Sequence, residues 1–330
     1  MDTRKADLDT PGLLLLRNFV SVKNRNMKII ITGSLGHISK PLTQQLVQNG
    51  HAVTVISSST ERQKHIEAIG AKAAIGSIED VAFLATTFAD ADVVYLMEPP
   101  PNFFDHDTDT LTHWSNIANN YTKAILTAKV KQVVHLSSIG AHTDSGVGML
   151  TSHHRVEHIL NQLPNDVSIK FMRPVGFYYN MFAYIQTIAT QHIIVQNYGG
   201  DEKEPWVSPL DIAAVIAEEI EKPFTGRTIR YIASDEVSPN EVAAILGEAI
   251  GKPDLQWISI PDDQMENGLL AAGFNPKGAK GIVEMNEGRR NGVLYEDYNR
   301  HKPVLSKVKL TDFAKEFAAV YHNNSTNSNH

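Results

Sequence analysis

The sequence predicts an α/β protein in which a doubly wound parallel sheet carries a smaller, mainly helical C-terminal lobe. Three observations predict it. A short β-branched run, Lys28-Ile29-Ile30-Ile31, feeds a glycine-bearing turn from Thr32 to Ser39, and the helix that follows puts Leu42, Leu46 and Val47 on one face and stops at Gly50. Strand-length apolar runs then alternate with helical stretches, with no hairpin signal between them. After Ser238 the pattern turns predominantly helical.

Taken in order, the expected strands are Lys28 to Ile31, His51 to Ile56, Ala71 to Ile75, Asp92 to Met97 and Val130 to Leu136, with Ser168 to Met172 and Arg227 to Ile232 further on. The fourth run is broken by Pro99-Pro100-Pro101. Helices are expected from the Ser/Thr cluster at 57–60 to Gly70, and over 79–89, 107–129 and 209–221. The second half is too rich in helices to flank one sheet. The predicted organisation is therefore an N-terminal extension (1–26), a sheet domain (27–235) with part of the lobe inserted near 175–207, a C-terminal lobe (236–322) over the strand ends, and a polar, disordered tail (323–330). A packed N-terminal helix is the competing reading of 1–26. Leu13 to Leu16 is too short for a signal-peptide core.

Composition narrows the function. With 330 residues, 42% hydrophobic and 20% charged, the chain can bury a large core. Its net charge of −7 is spread thinly with no basic block, which argues against nucleic acid or an anionic membrane as the main partner. Zero cysteines exclude disulfides, thiolate metal sites and cysteine nucleophiles, and fit a reducing, cytoplasmic setting.

The turn ITGSLGHIS is where function enters. A glycine turn between a strand and a helix lets backbone approach a pyrophosphate, while the N–H groups of the helix start face the anion. Gly33 and Gly36 hold two positions of a G-x-x-G-x-x-G pattern, and Ser39, small enough for close helix packing, stands in the third. Ser34, Leu35, His37 and Ile38 complete the expected cradle. A Walker A loop is excluded, since Ser39-Lys40 runs into Pro41. A joint without ligand is the plainer alternative, and the strand on either side weighs against it. At the end of the second strand, an NAD site places an acid on the ribose 2′-OH. Here Ser57, Ser58 and Ser59 occupy that place, with Arg62 close by, which favours NADP(H); NAD(H) stays possible because Glu61 is adjacent and a Ser/Thr cluster is also a good helix cap.

The sequence resembles the NmrA-like family of the atypical, extended short-chain dehydrogenase/reductase superfamily, NAD(P)-binding proteins of the Rossmann type. The resemblance runs from about Met27 to Phe317. It is carried by ITGSLGHIS, Val133 to Ser138, His153-His154-Arg155-Val156-Glu157, and Phe171 to Asn180 with Pro174 inside it. It implies adenine contacts at Ser77 and Ile78, a nicotinamide ribose passing Met97 and Pro99, and roles for Ser137 and for His153, four residues before Glu157. The family includes quinone reductases, dye reductases and NADP-sensing regulators.

The superfamily's usual proton donor is a tyrosine raised in acidity by a lysine four residues on. No tyrosine occurs between Tyr121 and Tyr178, so the helix after the fifth strand lacks it. His153 offers an alternative proton carrier near neutral pH or a hold on the ribose, and a plain helix-surface histidine competes with both. His154-x-x-Glu157-His158 matches an inverted zinc-peptidase motif, but a helix behind a parallel sheet with Arg155 beside it is poor ground for zinc. Phe103, Phe177, Tyr178, Tyr179 and Trp206 are the expected substrate pocket, either as packing between lobes or as a flat apolar site. The reading is direct hydride transfer from NADPH to a quinone-like or aromatic small molecule by a monomer or homodimer, with a proton from Tyr178, His153 or water. The alternative is a non-catalytic NADP(H) sensor acting through a protein partner.

Overall fold

The computed structural model describes residues 26–327. Residues 1–25, most of the expected extension, lie outside the described residues. The strands are β1 (Lys28–Ile31), β2 (Ala52–Ser57), β3 (Lys72–Ile75), β4 (Val93–Leu96), β5 (Gln132–Leu136), β6 (Ser168–Pro174), β7 (Gly176–Phe177), β8 (Ile193–Gln196), β9 (Glu204–Val207), β10 (Arg227–Ile232), β11 (Asp235–Val237) and β12 (Gln256–Ser259). The helices are α1 (Ser39–Gln48), α2 (Gln63–Ala68), α3 (Val81–Phe88), α4 (Thr110–Ala128), α5 (Thr151–Leu160) and α6 (Ile185–Gln191), then α7 (Pro209–Glu221), α8 (Pro239–Ala249), α9 (Asp262–Ala271), α10 (Pro276–Arg290), α11 (Glu296–Arg300) and α12 (Leu310–Asn327).

Seven strands form one parallel sheet in the order β10-β6-β5-β4-β1-β2-β3. The order reverses between β1 and β4, and a cleft opens at such a switch point beyond the strand C-termini. Both faces are covered, which is why the strands read as unbroken apolar runs. Ile29, Ile31, Val53 and Val55 pack on one side with α1 and α7, while Ile30, Ile56, Val94 and Leu96 pack on the other with α3, α4 and α5. Helix starts follow their capping residues. Asp80 accepts from the N–H groups of Ala82 and Phe83, Ser208 caps α7 ahead of Pro209, and Ser238 with Glu241 closes a capping box on α8.

A third apolar core is built from Tyr178, Met181, Trp206 and Ile194 together with Trp257, Phe313 and Phe317. It joins the segment before α7 to the end of the chain as one lobe. That lobe is less purely helical than the sequence suggests, because β11-β9-β7 and β12-β8 form two small sheets in it. These strands are two to four residues long, and β9 contains Pro205, so no alternating run announces them. The last helix continues to Asn327, into the stretch expected as a tail from 323; residues 328–330 lie outside the described residues.

Candidate dinucleotide and substrate site

Gly33 adopts φ +86° and Ser34 φ +53°, so the chain turns sharply off β1. A Cβ on Gly33 would lie 2.2 Å from Met97 Sδ and 2.7 Å from Ser39 Oγ. Ser39 is buried, and its hydroxyl donates to the Thr32 carbonyl at 3.1 Å. A serine in the third glycine position therefore closes the turn by a hydrogen bond. Gly36 N–H donates to the Gly33 carbonyl at 3.2 Å, and Met97 N–H donates to Thr32 Oγ1 at 2.9 Å, tying β4 to the turn. The start of α1 has neither a side-chain cap nor an acid in its first turn, which leaves it suited to an anion.

Two cavities meet at this turn, sharing Gly33, Met97 and Pro100 in their walls. The smaller, about 350 Å³, runs over the ends of β2 and β3 and is lined by Ser34, Ser57, Ser58, Ser77, Ile78 and Pro99. Ser34 Oγ donates to Ser57 Oγ at 3.0 Å, so hydroxyls gather where the sequence lacks an acid. Ser59 and Arg62 do not line it; Arg62 is exposed on the 3-10 turn beyond β2, since the chain has already left the cleft there. Glu79, not anticipated from sequence, does line it.

The larger cavity, about 550 Å³ and mostly apolar, lies over β4 and β5 under the small lobe. Gly36, His37, Ile38 and Met97 form its floor on the turn side, Phe177, Tyr179 and Phe182 come from the lobe, and Glu98, Trp114, Ser137 and His153 complete it. His37 meets the Tyr179 ring edge-on at 4.8 Å, joining turn to lobe. The Ser137 hydroxyl donates to Glu157 Oε1 at 2.5 Å. Arg173 grips the same carboxylate through Nε at 2.9 Å and Nη2 at 2.7 Å, and reaches Asp297 at 3.0 Å and Tyr231 at 3.2 Å through Nη1. Ser137 is thus a buried bridge whose proton is already committed.

His153 faces the cavity from α5, with its ring 4.8 Å from Trp114. Burial pulls its pKa down to about 4, against an opposing pull from Glu98 and with help from His135. The ring is neutral at pH 7, so it is no store of protons by itself. An unfolded imidazole titrates near 6.5, so the stability tied to this neutral ring is full above that pH and is lost as pH falls towards 4. His153→Gln is expected to remove up to about 3 kcal/mol of that acid sensitivity, read as the difference between urea midpoints at pH 7 and pH 4.5.

A comparison with protein families matches residues 25–311 to the NmrA-like family. The chain belongs to that family. Among solved structures, an NADPH-dependent quinone oxidoreductase from Escherichia coli complexed with NADPH superposes with a TM-score of 0.73 at 19% identity, over 87% of this chain and 99% of that one. The Citrobacter sp. triphenylmethane reductase complexed with NADP(H) gives 0.72 at 19% identity, over 88% and 99%. A nucleoside-diphosphate-sugar epimerase from Staphylococcus aureus gives 0.71 at 16%, over 88% and 100%. No curated protein matches the chain.

Within this NmrA-like fold several expected site residues lie elsewhere. Tyr178, offered as a proton donor, is fully buried in the lobe core; its hydroxyl donates to the Val308 carbonyl at 3.2 Å, it stacks on Phe313, and burial pushes its phenol pKa well up. Trp206 is also core, packed over Gly176 with Arg289 above its ring. Phe103 packs against Phe274 and lines a separate cleft near the start of α10. Pro174 is buried at the end of β6, where its carbonyl accepts from Ile139 N–H, and Leu35 packs into the core beneath the turn. The spacing of the missing tyrosine–lysine pair does occur at Tyr298, on α11, and Lys302, just past its end, with both side chains bonded to Glu236. In the zinc-like motif, Glu157 is taken by Arg173 and His154 by the Ala141 carbonyl. Among the described residues no three His, Cys, Asp or Glu side chains could hold a metal, and no helix is long and apolar enough to cross a membrane.

One polar pair escaped sequence reading. Glu98, just past β4, meets His135 of β5 through Oε2 and Nε2 at 3.0 Å, and both side chains are almost wholly buried. Glu98 Oε1, His135 Nδ1 and His153 Nδ1 are buried without a hydrogen-bond partner.

Proposed function

We propose that this chain binds NADP(H) along the two joined cavities and reduces a quinone-like or aromatic small molecule in the larger one. The observation that carries this reading is the shared wall. Gly33 and Met97 stand between a hydroxyl-lined cavity over β2 and β3 and an apolar one under the lobe, so a ligand with a polar and a flat end fits across the turn. Gly33, Ser34, Gly36, His37 and Ile38 would hold the pyrophosphate, Ser57 and Ser58 the 2′-phosphate, Ser77 and Ile78 the adenine, and Met97, Pro99 and the ring of His153 the nicotinamide riboside. When bound, the cofactor supplies a hydride. The chain's own part is to place the acceptor flat between Phe177, Tyr179 and Phe182 on one side and Trp114 on the other, and to keep water off that face.

The choice of NADP(H) over NAD(H) rests on the serines at the end of β2: the carboxylate in the cavity wall, Glu79, comes from the turn before α3 and not from β2, and Glu61 is exposed outside the cavity. Ser58→Asp puts a negative charge against a 2′-phosphate. The ratio of NADPH to NADH affinity by calorimetry is expected to fall about tenfold, or about 1.4 kcal/mol; an unchanged ratio removes the phosphate from this place.

A second reading has one observation in its favour. With Ser137 committed to Glu157 and Tyr178 buried, the usual superfamily acids are missing from the cavity, as in a protein that binds dinucleotide only to report on it. NADPH oxidation against a panel of quinones separates the two. Turnover on any acceptor supports the reductase, and tight binding without turnover supports a sensor with a protein partner. The absence of cysteine and of a basic patch suits a cytoplasmic protein with a small-molecule ligand.

A further inference from the structure

We infer that Asn180 binds the acceptor: its carboxamide donates to the quinone oxygen on which charge collects, at the rim of the larger cavity. The inference rests on the reductase reading. Most polar side chains in that wall already have a partner. The Trp114 indole N–H is taken by the Pro99 carbonyl, the Ser39 hydroxyl by Thr32, Glu98 by His135, Ser137 by Glu157 and the Tyr179 hydroxyl by Glu316 of α12. In the proposed pose His37 and His153 serve the cofactor. That leaves Ser138 and Asn180, whose side chains line the cavity and have no hydrogen-bond partner among the described residues.

The 3-10 turn over Tyr178–Tyr184 explains how Asn180 comes to the cavity. With about three residues per turn, every third side chain shares a face. Tyr178, Met181 and Tyr184 form the buried stripe in the lobe core, while Tyr179 and Phe182 form the stripe against the cavity. Asn180 begins the third stripe. It lines the cavity and is exposed, whereas Phe177, Tyr179 and Phe182 beside it are half-buried. A carboxamide there brings two N–H donors and an acceptor oxygen to the edge of an otherwise aromatic wall. Ser138, the other free group, is half-buried just past β5, on the sheet side.

The step balances without an internal acid. The C4–H bond of the reduced nicotinamide breaks, and its hydride forms an O–H bond at the near oxygen of the quinone. The π electrons shift through the conjugated ring and leave an electron pair on the far oxygen. NADP⁺ and a hydroquinone monoanion result. The Asn180 N–H donates to that far oxygen, and the bond strengthens as the oxygen passes from neutral carbonyl to anion, so it favours the transition state over the bound quinone. The oxygen then takes its proton from water at the rim. A para-quinone, with an oxygen at each end of a flat ring, is the acceptor class that reaches from the hydride to the rim.

Two acceptors and two variants test the contact. Hydride transfer to menadione, a para-quinone, puts negative charge on oxygen, whereas a cationic triarylmethane dye takes hydride on carbon and becomes neutral. In Asn180→Ala, kcat/KM for menadione is expected to fall about tenfold or more, with dye turnover and NADPH affinity within about twofold of wild type. Asn180→Asp keeps the shape but sets a carboxylate where the donor stood. Menadione turnover should then fall further than in Asn180→Ala, while KM for the cationic dye falls as well, the mark of tighter binding. A packing defect does not move the two acceptors in opposite directions. An equal loss on both acceptors, no loss on either, a loss that follows Ser138→Ala instead, or NADPH bound about tenfold more weakly by Asn180→Ala overturns the assignment. If the wild-type protein reduces neither acceptor, the reductase reading fails, and calorimetry of menadione with the NADP⁺-bound protein decides for Asn180. Binding about tenfold weaker in Asn180→Ala upholds the contact; unchanged binding, or none to the wild type, overturns it.

Discussion

Gly33→Ala is expected to raise the Kd for NADPH at least tenfold while the protein stays folded. Two effects act together. At φ +86° an alanine carries the left-handed penalty of about 1–2 kcal/mol. Its methyl also meets Met97 Sδ at 2.2 Å, so the wall between the cavities must move into one of them. Calorimetry reads the affinity, and a thermal melt should show a loss of roughly 2–8 °C. Met97→Ala in the same background removes the closer collision but leaves the methyl 2.7 Å from Ser39 Oγ and the backbone strained. It is expected to recover part of the affinity and little of the melting temperature; full recovery of both would show that backbone conformation is unimportant here.

Arg173→Ala should produce the largest loss of stability of any single change near the site, about 3–5 kcal/mol by urea denaturation. Arg173 and Glu157 have side chains 4% and 7% exposed, and the guanidinium binds three elements at once: α5 through Glu157, β10 through Tyr231 and α11 through Asp297. Removing it strands a carboxylate beneath Ser137. Replacing both partners, as Arg173→Met with Glu157→Leu, exchanges a buried ion pair for apolar contact and is expected to restore most of the stability. The two changes adding independently would mean that the pair has no mutual energy.

Much of the large domain was legible because a parallel sheet covered on both faces leaves uninterrupted apolar runs. The strand Arg227–Ile232 and the helix Pro209–Glu221 were predicted to the residue. The glycine turn was equally plain, since a strand, two glycines and a helix in succession have few other uses. The lobe was harder. Phe177 and Tyr179 line the cavity, whereas Tyr178 between them points into the core, because the 3-10 turn after β7 sends neighbours in different directions. A cluster of aromatics in sequence carries no sign of that division. Phe103 and Trp206 failed for the same reason, being placed by packing partners more than sixty residues distant or, for Trp206, by a Gly176 and an Arg289 on either side of it in the chain. Glu98 and His135 are 37 residues apart and become a pair only when β4 and β5 are laid edge to edge. Nothing local to either residue announces the other.

The bond from Ser39 to the Thr32 carbonyl has a consequence for the speed and heat of binding. With that bond, the Gly36 to Gly33 bond and the tie from Met97 to Thr32, the loop already holds its shape through contacts of its own. A dinucleotide arriving there has no floppy segment to freeze, so little of its binding energy is spent on ordering the protein. Association should follow a single encounter step whose observed rate rises linearly with ligand concentration, as for a lock cut before its key.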